Sequence, residues 1–232
     1  MPDPLISIVV PVYNEARTVV AVIERLLAID LPARREILVV NDGSTDGTRG
    51  VLDGIPARPE LRIIHAEKNG GKGSAIRIGF GRATGTIVAI QDADLELDPA
   101  QIAELVKPIL YQRTRVVYGS RFLAGRPAAP WLSIVANETL TGITNLLYGG
   151  RLTDMETCYK VMETPVAQSL KLESNRFDIE PEITAKLLRA GHPILELPIR
   201  FEPRSRAQGK KIGWRDGVQA IQVLLKYRFS KE

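Results

Sequence analysis

Cysteine is nearly absent from this chain: Cys158 stands alone among 232 residues, so no intrachain disulfide can staple the fold. A lone thiol fits a reducing compartment. Between Thr157 and Tyr159 it has no neighbouring base to make it a nucleophile, so a buried small hydrophobe is expected. Long apolar runs are missing too. No stretch reaches the roughly eighteen residues of a membrane span. Met1-Pro2-Asp3-Pro4 lacks the basic-then-apolar order of a signal peptide, so the expected place is the cytoplasm. No GxGxxG follows the first apolar run and no Walker sequence occurs, which disfavours a Rossmann dehydrogenase and a P-loop NTPase. Internal repeats and low-complexity linkers are also absent. An apolar fraction of 44% nevertheless suffices for a core without staples.

The net charge of +4 is unevenly spread. From Arg200 onward nine basic residues face three acids, a local +6, so the preceding 199 residues carry about −2. The tail therefore expects an anionic partner. Nucleic acid is disfavoured, because the aromatics of the basic loop and the helix behind it are only Trp214, Tyr227 and Phe229 and no stacking module is recognisable.

Short apolar runs alternate with helical patterns, the signature of a mostly parallel sheet flanked by helices. Strands are expected at Ile6–Val10, Ile37–Val40, Leu61–Ile64, Thr86–Ile90, Val116–Tyr118 and Ile194–Leu197. Helices are expected at Ala16–Ala28, Gly73–Ala83, Pro99–Leu110, Leu132–Tyr148, Ile179–Ala190 and Trp214–Tyr227, with a polar turn after Tyr148. The organisation read from this is one domain: a nucleotide-type half (1–119), an acceptor-type half (120–200) sharing the same sheet, and a basic loop with an amphipathic helix (201–232).

In open parallel sheets ligands sit at the C-terminal strand ends. There the chain places Pro11-Val12-Tyr13-Asn14-Glu15, then Asn41-Asp42-Gly43-Ser44-Thr45-Asp46, then the glycine-rich Lys68-Asn69-Gly70-Gly71-Lys72-Gly73, then Asp92-Ala93-Asp94. Two carboxylates one residue apart at a strand tip suit a divalent cation held against phosphate oxygens. Singly, each motif has a plain counterpart: solvated acids in a turn, turn chemistry at Asn41-Asp42-Gly43, a helix cap at Thr45-Asp46, a helix opened by Asp98-Pro99. Four consecutive strand ends with nucleotide-compatible groups are harder to explain that way.

These motifs, followed by Tyr118-Gly119-Ser120-Arg121-Phe122 and Thr153-Asp154-Met155-Glu156-Thr157-Cys158-Tyr159-Lys160, resemble the inverting family 2 glycosyltransferases of GT-A (Rossmann-like) α/β fold. Within that family they are similar to the branch of dolichyl-phosphate mannose synthase and bacterial polyprenyl-phosphate transferases. The resemblance implies a nucleotide-sugar donor (GDP-mannose or a UDP-sugar) and a polyprenyl-phosphate acceptor. It implies that Pro11, Tyr13, Glu15 and Asp42 hold the nucleoside, that Lys72 lies near the diphosphate, and that Asp92 and Asp94 bind Mg²⁺ or Mn²⁺. Glu96 stands where relatives carry a Gln that can join the metal. Arg121 would meet the acceptor phosphate and Lys160 would neutralise a phosphate. Asp94, Arg121 and Asp154 form the expected catalytic set. Asp154, oriented by Thr157 and Tyr159, is the base that an alcohol acceptor would need, with Asp178 and Glu180 as substitutes. Relatives often have a basic residue after the Asn of the mid-chain helix; this chain reads Asn137-Glu138.

The basic loop with Arg204, Arg206, Lys210 and Lys211 is expected to reach a headgroup or prenyl phosphate. The helix behind it, with Trp214, Val218, Ile221, Leu224 and Leu225 on one side, would either lie on an anionic bilayer or pack on the domain. As the sequence stops at Glu232, membrane contact is expected to be peripheral, on the cytoplasmic face, or through a partner. Two other readings stay open: transfer to a soluble or polymeric hydroxyl, and non-catalytic nucleotide-sugar binding.

Overall fold

The structure, a computed structural model, describes residues 3–203 and 214–230. Arg204, Arg206, Lys210 and Lys211 lie outside the described residues.

Strand β1 (Leu5–Val12) is followed by α1 (Val19–Ala28), β2 (Arg34–Asn41), α2 (Thr48–Asp53), β3 (Leu61–His65), α3 (Lys72–Arg82) and β4 (Ile87–Ile90). A 3₁₀ turn (Pro99–Gln101) leads into α4 (Ile102–Leu110), then β5 (Val116–Ser120), α5 (Trp131–Tyr148), β6 (Lys160–Glu163), α6 (Thr164–Ser169), α7 (Ile179–Arg189), β7 (Leu195–Pro198) and α8 (Trp214–Phe229). Among the described residues seven strands form one sheet in the order β3-β2-β1-β4-β6-β5-β7. Neighbours run parallel except where β6 meets β4 and β5.

The central strands are apolar nearly throughout because helices cover both faces. Ile6, Ile8, Val9 and Val10 of β1 are all fully buried, as are Ile37 to Val40 of β2. Against them α1 turns Val19, Val22, Ile23 and Leu26, spaced at the helical period. α3 comes so close that a Cβ on Gly79 would lie 2.2 Å from Val9 Cγ1, which is why glycine stands there. Asp98 caps the turn before α4, accepting from the Ala100 amide at 3.1 Å, and Asp46 accepts from the Thr48 amide at the start of α2 at 2.9 Å.

Three elements were not expected. α2 and α6 are single-turn helices too short to show a period. β6 falls within the stretch read as a polar turn; its four residues begin with a lysine and carry no alternation. Its position has the larger consequence. Because β6 runs antiparallel between β4 and β5, it starts where those two strands end, with Lys160 opposite Tyr118 and Val161 opposite Ala89. The segment 154–159 is thereby delivered to the rim carrying Asp92 and Arg121.

A second apolar cluster joins α5, α7 and α8 through Leu140, Met155, Ala185, Ala220, Leu224 and Tyr227. The expected α8 face is thus divided. Leu224 packs inward with Ala220 and Tyr227, whereas Val218 and Leu225 are exposed. Positions 220, 224 and 227 share a stripe at helical spacing, and 218 and 225 fall off it.

Candidate active site

A cavity of about 360 Å³ opens at the C-terminal ends of β1, β2, β4 and β5. Pro11, Tyr13 and Glu15 reach it from the end of β1, and Asp42 from the end of β2. Asp42 is nearly buried and ties down the glycine-rich loop: Oδ1 accepts from the Gly70 amide at 2.9 Å, and Oδ2 from the Gly71 amide at 2.6 Å and Asn69 Nδ2 at 3.0 Å. The loop's path demands glycine. Gly71 has φ +94°, and a Cβ there would sit 2.3 Å from the Asn175 carbonyl oxygen. This loop sets the start of α3, whose first residue is Lys72.

Lys72 joins the two halves of the cavity. Its Nζ lies 2.9 Å from Asp92 Oδ1 and 3.0 Å from Glu180 Oε1. Burial alone would lower its pKa, but Asp92, Cys158 and Glu180 hold it well above the usual lysine value. Glu180 continues the chain of charge, its Oε2 lying 2.7 Å from Lys160 Nζ. Lys160 is fully buried; its Nζ also donates to the Met155 and Thr157 carbonyls and stands over the Tyr118 ring. It does not line the cavity, so the expectation that Lys160 meets a phosphate is corrected: its three donors are spent holding the turn before β6.

Asp92, Asp94 and Glu96 all line the cavity, and Asp94 Oδ1 accepts from the Glu96 amide at 3.1 Å. Among the described residues no three carboxylate, histidine or cysteine groups gather as a metal cluster. The two aspartates still fit Mg²⁺ or Mn²⁺, because such ions are commonly held by one or two carboxylates plus substrate phosphate oxygens.

Arg121 lines the same cavity from the end of β5. Asp154 grips it at two points: Oδ2 accepts from Nε and Oδ1 from Nη2, each at 2.7 Å. Oδ2 also takes the Arg121 amide at 3.0 Å and Oδ1 takes Asn137 Nδ2 at 2.9 Å. Burial would lower the Arg121 pKa, but the Asp154 hydrogen bonds raise it above its usual value. The guanidinium also stacks on Phe201, 5.2 Å from the ring centre. Asp154 is fully buried, outside the cavity wall. The roles expected of its neighbours are corrected too: Thr157 donates to the Gly119 carbonyl, and Tyr159 donates to Gln91 and the Asp98 carbonyl, so neither orients Asp154. Asp178 turns away, accepting from the Arg176 amide at 2.9 Å. Asn137 belongs to the Asp154 cluster, and Glu138 beside it is exposed.

Glu156, Cys158, Arg176, Phe177 and Phe201 also wall the cavity and were not anticipated as site residues. Cys158 is buried as expected, with its thiol pKa pushed up by burial and by Asp92. Glu156 is the anomaly. Its Oε1 is buried with no hydrogen-bond partner among the described residues. Burial first, then Glu180 and Asp154, push its carboxyl up to about 7 against the pull of Lys160 and Arg121. The only sequence signal was its place two residues after Asp154 in the motif.

Residues 7–165 match the family described as glycosyl transferase family 2. The chain is 27% identical to the undecaprenyl-phosphate mannosyltransferase of Micrococcus luteus, over 93% of this chain and 90% of that protein. It is 30% identical to the glycosyltransferase AglD of Haloferax volcanii over 86% of this chain, but spans 33% of that protein. It likewise spans 52% of the dodecaprenyl-phosphate galacturonate synthase of Rhizobium johnstonii, at 29% identity over 74% of this chain. In fold it is similar to glucosyl-3-phosphoglycerate synthase of Mycobacterium tuberculosis, solved with Mn²⁺, uridine diphosphate and phosphoglyceric acid. The TM-score is 0.76 at 19% identity, over 99% of this chain and 80% of that one.

Proposed function

This chain belongs to glycosyl transferase family 2, and on that footing we propose that it moves a hexose from a nucleotide sugar to polyprenyl phosphate, with inversion at the anomeric carbon. The observation that carries the reading is one cavity in which nucleoside-compatible groups, a lysine, two aspartates and an arginine follow one another along the strand tips.

Tyr13, Glu15 and Asp42 would hold the nucleoside, and Lys72 would give up part of its hold on Asp92 and Glu180 to meet the diphosphate. Asp92 and Asp94 would hold Mg²⁺ or Mn²⁺. When bound, such an ion neutralises charge developing on the departing nucleoside diphosphate. Arg121, locked by Asp154 and Phe201, would present its guanidinium to the acceptor phosphate without rotamer freedom left to lose. A phosphate monoester with a second pKa of about 6 is already ionised at neutral pH, so no base is needed. That suits an Asp154 whose two oxygens are both engaged by Arg121 and Asn137.

A lipid acceptor is supported by relatives named for undecaprenyl phosphate and polyprenol. It is also supported by exposed Trp131, Leu132 and Val135 at the start of α5, which follows the loop leaving Arg121. Among the described residues no helix is long and apolar enough to cross a membrane. The test supplies labelled GDP-mannose and UDP-glucose with Mg²⁺ or Mn²⁺, offering undecaprenyl phosphate in detergent or 3-phosphoglycerate. Label passing into organic solvent is expected; label confined to water-soluble product defeats the lipid acceptor, and no transfer at all defeats the activity.

A further inference from the structure

We propose that Glu156 reads a hydroxyl of the transferred sugar and so sets which hexose the cavity accepts. This rests on the glycosyl-transfer reading above. On that reading Tyr13 and Asp42 take the nucleoside and Lys72, Asp92 and Asp94 the diphosphate, so the sugar attached to it would meet the lining next to Lys72, to which Glu180 and its electrostatic neighbour Glu156 belong.

Of the other charged groups in that wall, Arg176 is exposed, and two are already engaged. Glu180 is shared between Lys72 and Lys160, and Arg121 is held by Asp154. Lys160, close enough in sequence to serve Glu156, is pinned by two carbonyls and Glu180. The two buried Glu180 oxygens lack hydrogen bonds but meet Lys72 and Lys160 as ion pairs, whereas Glu156 Oε1 is buried with neither kind of partner among the described residues. A buried acceptor of this kind is costly unless something donates to it. A phosphate or carboxylate would repel it, whereas a sugar hydroxyl both donates and accepts. The group survives in a cavity wall because its partner arrives with the substrate. A site built this way also rejects the analogue lacking that hydroxyl, since the acceptor is then buried unpaired.

The test uses the full chain with Mn²⁺, farnesyl phosphate as acceptor, and GDP-mannose or UDP-glucose beside their 3-, 4- and 6-deoxy analogues. The wild-type protein is expected to lose on the order of 100-fold in kcat/KM for one deoxy donor. Glu156→Ala should turn that donor and its parent over equally, with UDP or GDP affinity kept. Glu156→Gln, which can still donate and accept, should retain most of the discrimination. Glu156→Asp, one methylene short, carries the same expectation as Ala should that variant fail to fold. Discrimination that survives in Ala and Asp, or a wild type indifferent to every deoxy donor, overturns the assignment while leaving glycosyl transfer standing. Activity abolished by Glu156→Gln on all donors alike also overturns it, as that marks a base rather than a sugar contact. A wild type that binds UDP or GDP but transfers nothing sinks the glycosyl-transfer reading and this inference together.

Discussion

Replacing Glu156 by Gln should stabilise the protein, and the gain should grow with pH. The Glu156 carboxyl moves from an ordinary 4.5 in the unfolded chain to about 7 in the folded one, chiefly through burial. A folded-state pKa raised above the unfolded value means the native protein holds its proton more tightly. The stability so contributed is fully present below 4.5 and is lost as pH rises through about 7. Each tenfold change in proton affinity is worth about 1.4 kcal/mol, so the whole displacement corresponds to about 3 kcal/mol. Glutamine keeps the shape and never ionises, so its advantage over Glu should grow by about 2–3 kcal/mol between pH 5 and pH 8. For a chain of this size that is a rise of roughly 5–10 °C in the Tm difference. Urea unfolding of both proteins at several pH values, followed by circular dichroism, gives the difference directly. A difference that is flat across the range, or that shrinks toward pH 8, refutes the burial argument.

Asp154→Ala should cost about 3–5 kcal/mol of stability, because it strands the Arg121 guanidinium without its buried partner; an unchanged denaturant midpoint would contradict the pairing. Asp94→Ala should abolish Mn²⁺-dependent nucleotide binding in calorimetry while the protein stays folded, the lost acceptor for the Glu96 amide costing about 1 kcal/mol. Undiminished metal-dependent transfer in that variant would defeat the metal assignment. Gly79→Ala would ordinarily stabilise a helix by about 1 kcal/mol. Here its Cβ meets Val9 Cγ1 at 2.2 Å, so a loss of about 1–3 kcal/mol is expected from urea unfolding. A more stable variant would show that α3 can lift from β1 without penalty.

Much of the frame was legible along the chain. β1 and β2 announce themselves as apolar runs because both of their faces are covered. Asp98 before Pro99 and Asp46 before Thr48 identify helix starts because a cap acts over two or three residues. The acids at the tips of β1, β2 and β4 do line one cavity, with Gly71 from the loop after β3. β6 was hidden because a four-residue strand has too few positions to show a period. The fates of Lys160 and Glu156 were hidden because a charged letter reads alike whether it is solvated, paired or stranded.

The sequence by itself determined which segments become the long elements, which polar residues stand at strand ends, and which family motifs occur in order. These rest on local propensity, burial period and capping, all properties of neighbours in the chain. Only the tertiary structure decided the pairing of the charges. Arg121 meets Asp154 across 33 residues, Lys72 and Lys160 share Glu180, and Glu156 is left over. That division follows from β6 entering the sheet antiparallel between β4 and β5. A pairing between distant residues depends on strand order, which no local stretch of sequence encodes.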